Sequence, residues 1–223
     1  LHRLIRRQRQ MCIRDRNQQY PRVIFMSPTY SKYLEAISER RSHYLLKPTL
    51  PPNISIDDVR AIVQAIIRNT PTSHNSQTNR AIILVGETHK SVWDQVYNTV
   101  VEEHRKAKPR MISDEAYGSV IFFTNEASIR ELQEEYPKWA SEISNLGEQS
   151  SGAVQINIWT VLSQMGIGCN LQHYNPWVSA ALNGLPAPVE IPDDWKIRGQ
   201  LVFGLPAGTP RDKEFIDNPI KVY

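Results

Sequence analysis

Cysteine is nearly missing from this chain. Its 223 residues hold two, Cys12 and Cys169, so neither a disulfide framework nor a four-cysteine metal centre can be built. Long apolar runs are missing too. Nothing approaches the roughly 20 residues of a membrane-spanning helix. The six histidines lie scattered at positions 2, 43, 74, 89, 104 and 173, with no HExxH pair, which removes the common zinc pattern. There is no GxSxG elbow and no GxxxxGK[ST] loop, so hydrolase and nucleoside-triphosphatase readings lack their central parts. No GxGxxG follows a strand either.

Positive charge looks plentiful but is local. The net charge is +3. Residues 1–26 hold seven Arg against one Asp, +6, which leaves 19 basic against 22 acidic residues in the remainder, −3. The body is mildly acidic and only the arm is basic. That argues against a nucleic-acid partner for the body. Residues 1–26 are expected to be a disordered basic arm, partly non-native. The string Met11-Cys-Ile-Arg-Asp-Arg16 resembles a translated sequencing adapter and is set aside. Hydrophobic residues at 40% and charged residues at 22% are ordinary globular values. One domain, residues 27–223, is expected, in a reducing, cytoplasmic setting.

Apolar spacing marks the elements. Ser27-Pro28 opens a helix with a stripe of Tyr30, Tyr33, Leu34 and Ile37. Lys47 to Pro52 reads as a stiff connector. Ser55 to Asp58 forms a capping box ahead of Val59, Ile62, Val63, Ile66 and Ile67, a core helical face. Ala81–Val85 predicts a buried strand. Thr88 is expected to cap a helix carrying Val92, Trp93, Val96, Tyr97, Val100, Val101 and His104. Arg105 to Arg110 reads as a solvated basic run. Ser119–Thr124 predicts a second strand, Ser128–Tyr136 a short charged helix, and Lys138 to Ala140 a turn with a buried or interface Trp139. Gly152–Met165 is apolar on nearly every side and predicts a central helix. Cys169 reads as a small buried strand residue. Trp177–Leu182 predicts a short helix, Pro186–Pro192 a loop, and Gly199–Leu205 the last strand.

Chemistry concentrates in four stretches. Glu39-Arg40-Arg41-Ser42-His43-Tyr44 packs two guanidinium forks and a hydroxyl into three residues, a donor set that suits phosphate oxygens. The same stretch also reads as a solvated positive helix end, which suits the helix dipole. Thr70 to Thr78 is polar throughout except for Pro71 and offers many hydrogen-bond groups, or is a surface loop. Gly166 to Pro176 has two glycines that permit close backbone approach. Arg211-Asp-Lys213 puts a basic pair past the last strand.

In their order and spacing these stretches resemble the nitroreductase-like flavoprotein family. The carriers are Ala36-Ile-Ser-Glu-Arg-Arg-Ser42, Pro71-Thr-Ser-His-Asn-Ser-Gln77, Gly166-Ile-Gly-Cys-Asn-Leu-Gln-His-Tyr-Asn-Pro176, and Phe203-Gly-Leu-Pro-Ala-Gly208 with Lys213. The likeness runs from residue 29 to 223. It is strongest to the fungal and bacterial branch related to the fatty-acid repression mutant protein and copper-induced nitroreductase. The resemblance implies an α+β fold with an antiparallel-dominated sheet flanked by helices, an intertwined homodimer, and FMN at the dimer interface.

By that resemblance Arg40, Arg41 and Ser42 hold the phosphate and ribityl oxygens, with Lys213 and Arg211 adding charge. Thr72, Ser73 and Asn75 reach the flavin from the partner subunit, with Gln77 nearby. Leu171, Gln172 and His173 lie over the flavin face or edge. Larger branches often carry Gly-Gly or Glu-Gly where His173-Tyr174 stands. The implied activity moves electrons from NAD(P)H to nitroaromatic or quinone-like acceptors by a ping-pong cycle. No protein side chain is expected to act as a catalytic group, because the flavin carries the chemistry. A flavin-binding redox sensor with little turnover is the alternative.

Overall fold

The computed structural model describes residues 28–185, 190–216 and 220–223. The expected basic arm, Ser27 and most of the Pro186–Pro192 loop lie outside the described residues. The chain divides into two units between Arg40 and Arg41. The described part of the first is helix α1, Pro28–Glu39. Its apolar stripe faces outward: Tyr33 is 63% exposed, Ile37 44% and Leu34 39%.

The second unit holds the sheet. Its elements are β1 (Leu46–Lys47), α2 (Ile56–Asn69), β2 (Asn79–Val85), α3 (Gly86–Thr99), α4 (Glu103–Glu115) and β3 (Gly118–Asn125). They continue with α5 (Glu126–Glu135), α6 (Ala140–Gln164), β4 (Gly168–Gln172), α7 (Asn175–Asn183) and β5 (Trp195–Pro206). β5 is the hub. It pairs with β3 on one side, with β4 on the other, and with β1 near its end, while β2 lies beyond β3. Every ladder is antiparallel, the sheet the sequence led us to expect.

Period-two alternation splits the core into two layers. Val120 and Phe122 of β3 and Leu201 and Phe203 of β5 face α2 and α6, meeting Val59, Val63, Ile158 and Leu162. Ile121, Phe123 and Val202 face the other way, toward Val92, Trp93 and Val96 of α3 and Val178 and Leu182 of α7. Two-sided burial explains why these strands are apolar at successive positions. Between Phe122 and Phe123 the register slips, leaving Arg198 as an extra residue on β5. The bulge points a nearly buried guanidinium at Glu126 (3.0 Å), Glu148 (2.6 Å) and Thr124 (2.7 Å).

Several expectations need correction. Thr88 does not cap α3. The helix starts at Gly86, whose φ of +56° favours glycine, and it ends at Thr99, so Val100, which caps it, and Val101 and His104 fall outside it. The basic run Arg105–Arg110 lies inside α4, and Pro109 sits within that helix. A proline there costs a hydrogen bond, but burial of Pro109, Ile112 and Ser113 offsets the loss. The connector from Lys47 begins as strand β1. β2 is an edge strand, so Ala81, Ile82, Ile83 and Val85 are only half-buried. Trp139 is 65% exposed, which removes the buried alternative for it and leaves the interface one. α6 begins at Ala140, twelve residues before the predicted Gly152; its polar first half still buries Gly147, Ser150 and Ser151. A Cβ at Gly147 would come within 3.1 Å of Ile129 Cδ1, so the Ile129 side chain of α5 would have to shift slightly to admit one.

One buried polar chain ties α3, β3 and α4 together. Trp93 Nε1 donates to Ser119 Oγ at 3.0 Å, and Ser119 Oγ lies 3.2 Å from His89 Nδ1. His89 Nε2 donates to the Ile112 carbonyl at 3.2 Å, which fixes the neutral tautomer with its proton on Nε2. Burial lowers the His89 pKa from 6.5 to about 4, against the Ile112 contact that raises it. The unfolded chain therefore binds a proton first as the solution is acidified. Stability from this group is complete above pH 6.5 and drains away as pH falls toward 4, by roughly 3 kcal/mol in all. Urea unfolding at pH 7 and pH 4.5 should show the wild type losing more stability than His89→Gln over that interval. Parallel losses would contradict this account.

Candidate functional site

Near the start of the second unit, Ser42 and His43 run alongside the start of β4. Ser42 makes a parallel bridge with Cys169. The His43 amide donates to the Cys169 carbonyl at 2.9 Å. Asn170 Nδ2 donates back to the His43 carbonyl at 2.7 Å, and Gln172 Nε2 donates to Asn170 Oδ1 at 2.7 Å. Backbone pairing thus fixes the segment against a strand whose Cys169 and Asn170 are buried. Cys169 is the small buried strand residue expected.

The Arg41 guanidinium reaches the backbone carbonyl of Arg211, so the sequence-distant Arg41 and Arg211 meet. Beside them stands Lys108 of α4, its Nζ 4.3 Å from the centroid of the Tyr44 ring. Burial lowers the Lys108 pKa, the Arg211 charge lowers it further, and Glu115 opposes both. His43 is also lowered by burial, with the Gly208 backbone opposing and Arg41 adding to the effect. Among the described residues no carboxylate pairs within 4.0 Å with Arg41, Lys108 or Arg211. A corner of cations, half-buried at Arg41 and Lys108 and exposed at Arg211, with hydroxyl and amide donors beside it, suits a phosphate monoester.

The other predicted residues fall elsewhere. Arg40 closes the first unit, its amide donating to the Ala36 carbonyl at 3.2 Å. Lys213 is exposed, 5.0 Å from the Phe215 ring centroid. Thr72, Ser73, Asn75 and Gln77 share a tight loop with a 3-10 turn at Ser73–Asn75. Thr72 Oγ1 accepts from the Gln77 amide at 2.9 Å, and φ is positive at His74, Asn75 and Gln77. His74 meets Tyr136 at 4.3 Å between ring centroids. Among the described residues no hydrogen bond, ion pair or ring contact joins this loop to the Arg41 corner.

Leu171 and Gln172 end β4, opposite Leu201 and Gln200. His173 follows and lines a cleft of about 760 Å³ with Glu126, Glu148, Asn175 and Arg198. One short strand therefore carries the cationic corner at its start and Gln172 and His173 at its end, roughly 13 Å apart. Sequence reasoning missed Lys108, whose signal is visible only once α4 is known to be a helix. Lys108 sits one turn before buried Ile112 and so shares its inward side.

An antiparallel sheet covered by helices on both faces, with a cationic corner at its rim, defines the class, and sequence comparison agrees. The nitroreductase family profile matches residues 37–205, and the chain belongs to that family of oxidoreductases. The nitroreductase FRM2 of Saccharomyces cerevisiae is 48% identical over 198 residues, which span 89% of this chain and all of FRM2. The crystal structure of a Saccharomyces cerevisiae nitroreductase is 44% identical, covers 86% of this chain and 98% of its own, and superposes with a TM-score of 0.75. Nitroreductase CinD of Lactococcus lactis is 32% identical over 83% of this chain and 95% of its own, with TM-scores of 0.72 to 0.73. CinD was solved with nicotinic acid, with chloramphenicol and with 4-nitrophenol. A nitroreductase from Desulfovibrio desulfuricans in complex with FMN shares the fold at 14% identity and a TM-score of 0.59.

Proposed function

We propose that this chain is an FMN-dependent oxidoreductase, a nitroreductase that takes electrons from NAD(P)H and passes them to nitroaromatic or quinone-like acceptors. The observation that carries the reading is the corner of Arg41 and Arg211 beside Ser42, with no carboxylate pairing to either arginine among the described residues. Such a donor set fits the FMN phosphate, and the FMN-bound structure of the same fold supports that cofactor. When bound, FMN supplies the hydride chemistry.

The residues bind and orient. Arg40, Arg41 and Ser42 hold the phosphate and ribityl oxygens, with Arg211 and Lys213 adding charge. Leu171, Gln172 and His173 border the ring. Thr72, Ser73, Asn75 and Gln77 reach the ring of the other protomer in a homodimer. Two observations support the dimer. Among the described residues their loop makes no hydrogen bond, ion pair or ring contact with the corner of its own chain, and Tyr33, Phe215 and Ile216 are more than half exposed. Domain 27–223 is the flavin-binding body, working in the cytoplasm. Among the described residues no helix is long and apolar enough to cross a membrane.

CinD's ligands support the substrate classes. Nicotinic acid carries the pyridine ring of the donor, and chloramphenicol and 4-nitrophenol are nitroaromatics. Donor and acceptor would occupy one space in turn. Purified protein should be yellow, with flavin absorption. Steady-state kinetics with NADH or NADPH and 4-nitrophenol should give parallel double-reciprocal lines. A colourless protein that refuses added FMN would sink the reading, and a yellow protein without turnover would favour the redox sensor.

A further inference from the structure

Elsewhere in the second unit, clustered cations are answered by carboxylates. Lys90 and Arg110 share Asp94, at 2.9 and 2.8 Å, with Asp114 behind them. Arg198 is met by Glu126 and Glu148. Lys106, two residues before Lys108, pairs with Glu103 at 3.3 Å. Lys108 differs. Among the described residues no carboxylate comes within 4.0 Å of it, and the Tyr44 ring, two residues past Ser42, stands 4.3 Å from Nζ to the centroid.

An aromatic face holds an ammonium in place by its quadrupole without neutralising it. A carboxylate at the same spot would hold it and cancel it. Burial and the Arg211 charge both work against a proton on Lys108, and the more distant Glu115 charge offsets them only in part, the net direction being downward. Gathering Arg41, Lys108 and Arg211 is therefore unfavourable until an anion completes the group.

Resting on the FMN reading, we propose that Lys108 is a further cation of the phosphate subsite. It is supplied by α4, aimed by Tyr44, and determines how strongly the chain prefers a phosphorylated flavin to riboflavin. Two features recommend an ammonium here. It is a compact point charge whose three donors rotate to meet an oxygen wherever the arginine forks leave one open. It also comes from an element far from both arginines in sequence, so it closes the corner from a third direction.

The test titrates FMN and riboflavin separately into flavin-stripped full-length protein, followed by flavin fluorescence. Lys108→Met keeps the stem and removes the charge. It should weaken FMN roughly tenfold to a hundredfold and change riboflavin by less than twofold. Lys108→Arg should recover most of the FMN affinity. Equal weakening of both flavins would make Lys108 a packing residue and overturn the proposal. Unchanged FMN affinity would overturn it too. The two readings fail differently: wild type that binds neither flavin defeats the FMN reading itself. Wild type that prefers FMN and loses that preference in Arg41→Ala but not in Lys108→Met defeats only the role of Lys108.

Discussion

Arg41→Ala should raise the Kd for FMN about a hundredfold and leave the affinity for riboflavin close to that of the parent. The guanidinium fork is charged and reaches the Arg211 carbonyl, so it ties the backbone at Arg211 to this corner. Hydrogen bonds to charged groups contribute about 1.5–3 kcal/mol each, and loss of a fork against a phosphate stands near the upper end. Arg40→Ala should release FMN in the same direction. Dialysis followed by visible absorption reads both. A variant that keeps its full flavin through dialysis would mean the phosphate is held elsewhere. The riboflavin control matters because a damaged fold would lose both flavins alike.

Trp93→Ala should be the most destabilising core change, by about 4 kcal/mol. Trp93 is fully buried, meets Tyr174 edge-on at 5.8 Å, and donates to Ser119. Its removal leaves a large void and takes one partner from Ser119. For a chain of this length each kcal/mol shifts Tm by about 2–4 °C, so a fall of roughly 10 °C is expected. Trp93→Phe keeps most of the packing and loses only the N–H, for about 1–2 kcal/mol. Thermal melts of the three proteins would order them parent, Phe, Ala. An alanine variant melting within two or three degrees of the parent would refute this picture of the core.

The parts of the fold that sequence reading recovered are those where one periodicity dominates. The α2 face is regular, and its Ser55–Asp58 box closes as expected, with Ser55 Oγ accepting from the Asp58 amide at 3.2 Å and Asp58 Oδ2 accepting from the Ser55 amide at 2.8 Å. β3 and β5 were visible because both of their faces are apolar. α4 was not. Its charges and Pro109 outweigh three buried positions, and only packing against α3 reveals the helix. The first half of α6 was lost for a related reason: Ser150 and Ser151 are buried polar residues, and polarity read locally means solvent. At the corner, Arg41 and Ser42 could be named from their donors. That Arg211 would meet Arg41 came from the resemblance, because 170 residues separate them. Lys108 needed the helix first, then the ring of Tyr44.

β5 touches three other strands, and it comes after all of them in the chain. A ribosome making this protein therefore releases β1 to β4 before the strand that joins them exists. β2 and β3 can pair as a hairpin-like couple across α3 and α4, but among the described strands β1 and β4 pair only with β5. Sheet closure waits until Trp195–Pro206 has been made, and the contacts it makes span long stretches of sequence. Such topologies fold slowly, so the apolar sides of β3 stay uncovered during synthesis for longer than its stable final state would suggest.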